Sequence, residues 1–284
     1  MSGSTRPEFT KVVAVMDFSE SAFRACEEAN RFKWMFANEA RVLCSDDDIS
    51  RSNQKALGIH AADEADVLAK IKEKISGFNL PLSMEKGKWK TVLENYVEKN
   101  APSEIFLGVY PEKTKNASFT HAWALKLAKQ LSVPVLGWTP KASGQVKEIL
   151  LPFDTTPHSR EKLYYGILMA KKFGARLHLL ILNAHTARDV VSNLRSAALQ
   201  IEDYTVRNGV AYWLEERAAK NIARDTIAYI EEKNIDLMIN MTEMEHSFEE
   251  IFKGPYAMQI AEKVNIPVLW VPSRVSGIMT EVNI

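Results

Sequence analysis

Lys11-Val12-Val13-Ala14-Val15-Met16-Asp17-Phe18-Ser19 decides the fold, because the chain repeats it as Lys147-Glu148-Ile149-Leu150-Leu151-Pro152-Phe153-Asp154-Thr155. The two aspartates lie 137 positions apart. Two further echoes keep the order. Glu98-Lys99-Asn100 returns as Glu232-Lys233-Asn234, and Ser132-Val133-Pro134-Val135-Leu136 returns as Asn265-Ile266-Pro267-Val268-Leu269, at offsets of 134 and 133. Three matches in one order at nearly one offset imply two copies of one domain, so function must be sought in each copy and at their join. The copies span residues 10–140 and 146–273, each within the common domain range of about 100–150 residues.

The run Val12 to Met16 is apolar without alternation, which suggests a strand buried on both faces. Outward from it the first copy reads as a helix carrying Phe23, Cys26, Ala29 and Asn30, a strand at 40–44 and a polar loop at 45–53. A helix at 58–76, a weak strand at 80–84 and a helix at 88–99 follow. The copy closes with a strand at 105–109, a helix at 119–130 and a strand at 133–138. In the second copy Thr156 is placed to cap a helix with Pro157 at its first position, and Lys171, Lys172 and Gly174 mark its end. Strands at 176–182, 210–214, 237–241 and 267–271 alternate there with helices at 186–207, 217–233 and 256–264. Strands alternating with crossover-length helices give an α/β fold, with a parallel sheet covered by helices on both faces. Residues 141–145 read as a linker too short for independent motion, so the halves are expected to pack together.

Thirty-six basic and thirty-six acidic residues leave no net charge, and neither half has the basic excess that nucleic-acid binding needs. The start lacks an apolar core of signal-peptide length, and no run approaches the roughly 18 apolar residues of a membrane span. A cytoplasmic protein with no nucleic-acid or membrane partner is therefore expected. Cys26 and Cys44 lack Cys-x-x-Cys spacing and read as buried thiols of a reducing compartment.

A domain of this length that begins strand-Asp-x-Ser, alternates strand and helix, and ends in helix, x-Pro-Val-Leu and strand resembles the universal stress protein family. Asp17-Phe18-Ser19-Glu20 and the paired Val-Pro-Val-Leu and Ile-Pro-Val-Leu segments carry the resemblance. It implies two tandem doubly wound domains, each a five-stranded parallel sheet of the adenine nucleotide alpha hydrolase-like kind. Ligands are then expected outside the carboxyl ends of the strands at the switch point. In two-copy members the domains pair as separate subunits pair elsewhere.

One branch of that family binds adenine nucleotides through Gly-x2-Gly-x9-Gly-(Ser/Thr) after the fourth strand, where glycines admit phosphates to backbone N–H groups at a helix start. The four places fall on Gly108, Pro111, His121 and Ala122 in the first copy, and on Met241, Met244, Gly254 and Pro255 in the second. One glycine survives in each. Glu243, Glu245, Glu249 and Glu250 crowd the second loop with like charge, and Pro255 removes an N–H. Lys113 and Lys115 could attract an anion in the first. The family-equivalent cofactor-binding positions are thus Asp17, Gly108, Asp154 and Gly254, in loops too degenerate for standard ATP or AMP binding. Each aspartate either contacts a nucleoside, as in the nucleotide-binding relatives, or caps the helix that follows.

The six histidines, His60, His121, His158, His178, His185 and His246, show no chelating spacing, so no metal is expected. Asp46-Asp47-Asp48 lacks the glycine and terminal glutamate of a calcium loop and reads as a solvated turn. No Gly-x-Ser-x-Gly elbow is present and no catalytic residue is assigned. Trp138 and Trp270 end the last strand of each copy, where they either anchor an interface or fill a core.

These readings give a stress-linked, non-enzymatic binding or interaction protein with an unidentified protein or small-molecule partner and a possible homodimer. The alternatives are a regulator holding an adenine nucleotide or other small molecule in an altered pocket, and then a nucleotide hydrolase or transferase. The final strands, 133–138 and 267–271, are expected to pair within the chain, because a terminal strand leaves N–H and C=O groups that must be paired or protected. Separately expressed halves are accordingly expected to bind each other in titration calorimetry, and two well-behaved monomers with no mutual affinity would disprove the pairing.

Overall fold

The computed structural model describes residues 9–35, 39–48, 64–78, 80–110, 119–140, 145–153, 161–183, 188–242 and 256–273. The expected helix cap at Thr156 and Pro157 and the linker residues 141–144 lie outside the described residues. The chain divides into two compact units, residues 1–127 with 133–140 and residues 128–132 with 141–284.

The first unit runs β1 (Lys11–Met16), α1 (Glu20–Met35), β2 (Glu39–Ser45), α2 (Glu64–Ile75), β3 (Leu82–Glu85), α3 (Trp89–Asn100), β4 (Glu104–Gly108), α4 (His121–Leu131) and β5 (Val135–Trp138). Its strands are parallel and ordered β3-β2-β1-β4-β5. The second runs β6 (Glu148–Phe153), α5 (Glu161–Phe173), β7 (Arg176–Asn183), α6 (Arg188–Arg207), β8 (Tyr212–Ala218), α7 (Ile222–Lys233), β9 (Leu237–Met241), α8 (Tyr256–Lys263) and β10 (Val268–Val271). Its order, β8-β7-β6-β9-β10, is the same doubly wound arrangement.

The apolar runs do what their lack of alternation implies. All of β1 except Lys11 is buried, as is every residue of β4 and β9. Full burial of a Val, Leu or Phe side chain contributes about 1.5–3 kcal/mol. On α1 the sheet-facing residues Ala22, Ala25, Cys26 and Ala29 are small and fully buried, so the helix lies close to the strands. Phe32, farther along, meets Phe106 of β4 edge-on at 4.8 Å and Phe9 at 5.9 Å. Helix α5 ends as its sequence indicates: Gly174 takes φ 65°, and the Ala175 N–H donates to the Ala170 carbonyl at 2.9 Å.

Several expectations are corrected. The stretch 217–233 is not one helix: Arg217 lies on β8, and α7 starts at Ile222 behind the Asn221 cap, whose side chain accepts the Arg224 N–H at 2.8 Å. The edge strand β8 runs past Leu214 to Ala218 through Glu215, Glu216 and Arg217. With solvent along one side it needs no apolar pattern, and Arg217 holds Glu215 at 2.5 Å and Glu232 at 2.6 Å. The Glu-Lys-Asn echo is one residue out of step: Asn234 is the left-handed cap of α7, whereas Ala101 fills that place after α3. Trp138 and Trp270 are both buried but not equivalent. Trp138 registers with Gly108, while Trp270 registers with Asn240 and corresponds to Gly137, so they face opposite sides of their strands.

Glu104 opens β4 with its carboxyl fully buried and neither oxygen hydrogen-bonded among the described residues. Burial pushes its pKa well up. The corresponding residue in the second unit is Leu237. An acid whose folded pKa is raised gives full stability below its unfolded value of about 4.3 and loses it as pH rises toward the folded value. Glu104→Leu is expected to raise stability by about 1–3 kcal/mol near neutral pH, and urea unfolding at pH 5 and pH 8 should show the gain growing with pH.

Candidate functional site

Strand order reverses beside β1 and β4, so the crevice of this topology opens at the carboxyl ends of those strands. In the first unit Asp17 follows β1 directly and is almost wholly buried. Phe18 takes φ 64°, which turns the chain sharply. The carboxylate Oδ1 of Asp17 then accepts the Ser19 N–H at 3.0 Å and the Ser19 hydroxyl at 2.5 Å. Ser19 Oγ accepts the Ala22 N–H at 3.2 Å and stands 3.0 Å from Ser21 Oγ. Asp17 thus sets the turn, and Ser19 rather than Asp17 caps α1.

Gly108 sits where α1 meets β4. A Cβ there would stand 2.2 Å from the Ala22 nitrogen and 2.3 Å from the Ser21 carbonyl carbon. The glycine is therefore required by the close approach of a helix backbone, independently of any phosphate.

The loops above are tied as well. Asp46 is not a free cation lure: its Oδ1 accepts the Gly87 N–H at 2.7 Å, and Ser45 Oγ donates to the Gly87 carbonyl. Gly87, at φ 111°, leads into α3. The Trp89 ring at the start of α3 meets Phe119 at 5.7 Å, and Phe119 meets Trp123 at 4.5 Å. Thr120 Oγ1 accepts the Trp123 N–H at 3.2 Å, so the first turn of α4 has its own cap. His121 is fully buried, and a Cβ on Gly137 would stand 2.9 Å from its Nδ1. Pro111, Lys113 and Lys115 lie outside the described residues.

In the second unit Asp154, Gly254, Pro255 and the glutamates 243, 245, 249 and 250 all lie outside the described residues. What is described there had escaped notice in the sequence. Asn240 and Thr242 at the end of β9 are buried, and the Asn240 amide and Thr242 hydroxyl have no hydrogen-bond partner among the described residues. Their counterparts in the first unit are Leu107 and Val109. Lys162 is fully buried with its ammonium 5.1 Å from the Phe153 ring centre. An asparagine inside an apolar strand and a lysine at an alanine's place in the other copy were the available signals.

Cys26 and Cys44 are buried and are not joined in a disulfide. Burial, with Cys44 and Asp17 adding negative charge, pushes the Cys26 thiol well up, which keeps it unreactive. Among the described residues no three His, Cys, Asp or Glu are grouped to hold a metal, and no helix is long and apolar enough to cross a membrane. His178 does form a network. Its Nε2 is 2.8 Å from Glu148 Oε2 and its Nδ1 2.9 Å from the Tyr229 hydroxyl. That cluster lies toward the amino ends of the strands, away from the crevice.

The family described as universal stress protein family matches residues 145–272. Over those residues the chain is similar to a universal stress protein domain. A universal stress protein from Archaeoglobus fulgidus DSM 4304 is 16% identical, with 94% of this chain and 98% of that chain covered at a TM-score of 0.66. A protein from Pseudomonas aeruginosa PAO1 titled as functionally unknown is 14% identical, with 93% of each chain covered at 0.60. The cytoplasmic domain of a prokaryotic cation chloride cotransporter is 13% identical, with 94% of this chain and 96% of that one covered at 0.52. At these identities the structures share the fold alone. No curated protein matches the chain.

Gly108→Ala is expected to destabilise the protein by about 1–3 kcal/mol in urea unfolding, because its Cβ meets backbone that cannot step aside. Gly77→Ala, where a Cβ would meet nothing within 4 Å, is expected to leave stability nearly unchanged.

Proposed function

We propose that the chain is a tandem universal stress protein serving as a stress-linked, non-enzymatic binding and interaction module, in which neither copy holds ATP through the usual glycine loop. The observation that carries this reading is the closure of the first crevice by its own residues. Asp17 is engaged by Ser19, the Gly108 backbone lies against α1, and Thr120 caps α4 beside the Trp89, Phe119 and Trp123 rings. An anion entering there would compete with hydrogen bonds already made. In the second copy the glutamates of 243–250 oppose a triphosphate through like charge.

The test is thermal unfolding with ATP and magnesium at millimolar concentration. A ligand at one hundred times its dissociation constant stabilises by about 2.7 kcal/mol, so a rise of several degrees would overturn the reading. The expected outcome is a rise too small to separate from the magnesium control.

The second reading is a small-molecule regulator, and Asn240 with Thr242 favours it in the second copy alone. Buried polar groups lacking a partner call for an explanation, and a ligand or ordered water would supply one. Native mass spectrometry of the full chain separates the two readings. A stoichiometric small molecule that is lost in Asn240→Leu, the residue found at that place in the first copy, would establish the regulator, whereas the module carries none.

A further inference from the structure

At the amino ends of the strands the two copies treat one place in opposite ways. In the second unit Glu148 of β6, His178 of β7 and Tyr229 of α7 join in a hydrogen-bonded row of 2.8 and 2.9 Å. Arg176 stands 4.0 Å from the Glu148 carboxylate. A carboxylate therefore sits against a cationic or N–H-donating side chain, backed by a tyrosine. The corresponding residues in the first unit are Lys11, Arg41, Tyr96 and Glu39. Cross-strand register pairs Lys11 with Glu39 as it pairs Glu148 with Arg176, so charge is reversed at both positions. The carboxylate of the second copy has become a lysine, and the histidine facing it has become an arginine.

Beside the corresponding residues of the first unit lies a cavity of about 60 Å³, bounded by Lys11, Glu39, Arg41, Tyr96 and Asn100. That is several times the roughly 10–15 Å³ one water needs. Lys11 is exposed and Tyr96 buried, which gives the cavity a charged mouth and a fixed back wall. Arg41 Nη1 donates to Ser83 Oγ at 3.1 Å, which fixes its plane. Its Nη2 reaches Glu39 Oε1 only at 3.4 Å. Glu39 is the one anion on the wall, against the two cations Lys11 and Arg41. Burial holds the Tyr96 phenol protonated; Arg41 opposes this, while Glu39 and Glu85 reinforce it, so the hydroxyl remains a donor.

The geometry points to a small-carboxylate site in the first unit, formed by Lys11, Arg41 and Tyr96 at the place where the second unit carries its own Glu148. A planar carboxylate suits the guanidinium fork better than a point anion does. The site is separate from the crevice at the opposite ends of the strands, so it stands or falls independently of the function proposed above.

Acetate titrated into the full chain against sodium chloride of equal ionic strength tests it. A saturable movement of the Arg41 side-chain N–H resonance is expected, with a melting-temperature rise of about 4 °C at ten times the dissociation constant. Arg41→Gln should lose the acetate response. Lys11→Glu, which sets a second carboxylate in register with Glu39, should lose it too. A blocked tripeptide bearing one glutamate tests for a carboxylate supplied by a partner protein, and binding of that peptide in preference to acetate would overturn the assignment to a small free acid. An Arg41 resonance that acetate leaves unmoved, or equal stabilisation of Arg41→Gln and the parent, would overturn the site itself.

Discussion

The closeness of helix α1 to strand β4 is the constraint on which the carboxyl end of the first unit depends. Ala22, Ala25 and Ala29 leave nothing to hold the helix away from the sheet, and its first turn reaches the backbone of Gly108. The connection from β1 must then reverse within Asp17, Phe18 and Ser19. It does so with Phe18 at positive φ and with Asp17 accepting both the N–H and the hydroxyl of Ser19. Backbone approach, turn and helix cap form one unit of geometry. A glycine at this place is required by packing before any ligand is considered, which is why its survival says little about nucleotide binding.

The two units differ at matched places while keeping the same strand order. The two charged positions in register across the first two strands exchange their signs, Lys11 and Glu39 against Glu148 and Arg176. Leu107 and Val109 of β4 correspond to Asn240 and Thr242 of β9, so apolar and polar groups occupy the same layer in different copies. His121 lies over Gly137 in the first unit, while the matched positions of the second are Gly254 and Trp270, the bulk having moved from helix to strand. The exchanges of charge and of bulk are tolerated because charge balance or total volume at each place is nearly kept.

Not every substitution is compensated. Glu104, Asn240 and Thr242 place polar atoms in the interior without partners among the described residues, and each costs free energy that an apolar side chain would not. Strands buried on both faces and paired on both sides can carry that cost. Departures from local consistency of this kind concentrate where a protein does something other than fold. Here they fall in the copy-specific layers, whereas β1 and β6, the central strand of each sheet, carry none.

The sequence by itself determined the class of fold, because uninterrupted apolar runs alternating with crossover-length helices admit little besides a parallel sheet. It also carries an internal echo, Asp17 and Asp154 standing 137 positions apart after two like apolar runs. The edge strand β8 escaped it: solvent along one side let Glu215, Glu216 and Arg217 stand in a strand on the strength of their ion pairs, and no apolar pattern announced it. The candidate sites escaped it more completely. Asp17 reads the same whether it faces a nucleoside or Ser19, and Asp46 the same whether solvated or holding Gly87. Hydrogen bonds between residues 41 positions apart, and the helix backbone that would stand 2.2 Å from any Cβ on Gly108, belong to the packing of helices on a sheet. Only tertiary structure decides them, because they depend on distances between elements that local sequence does not encode.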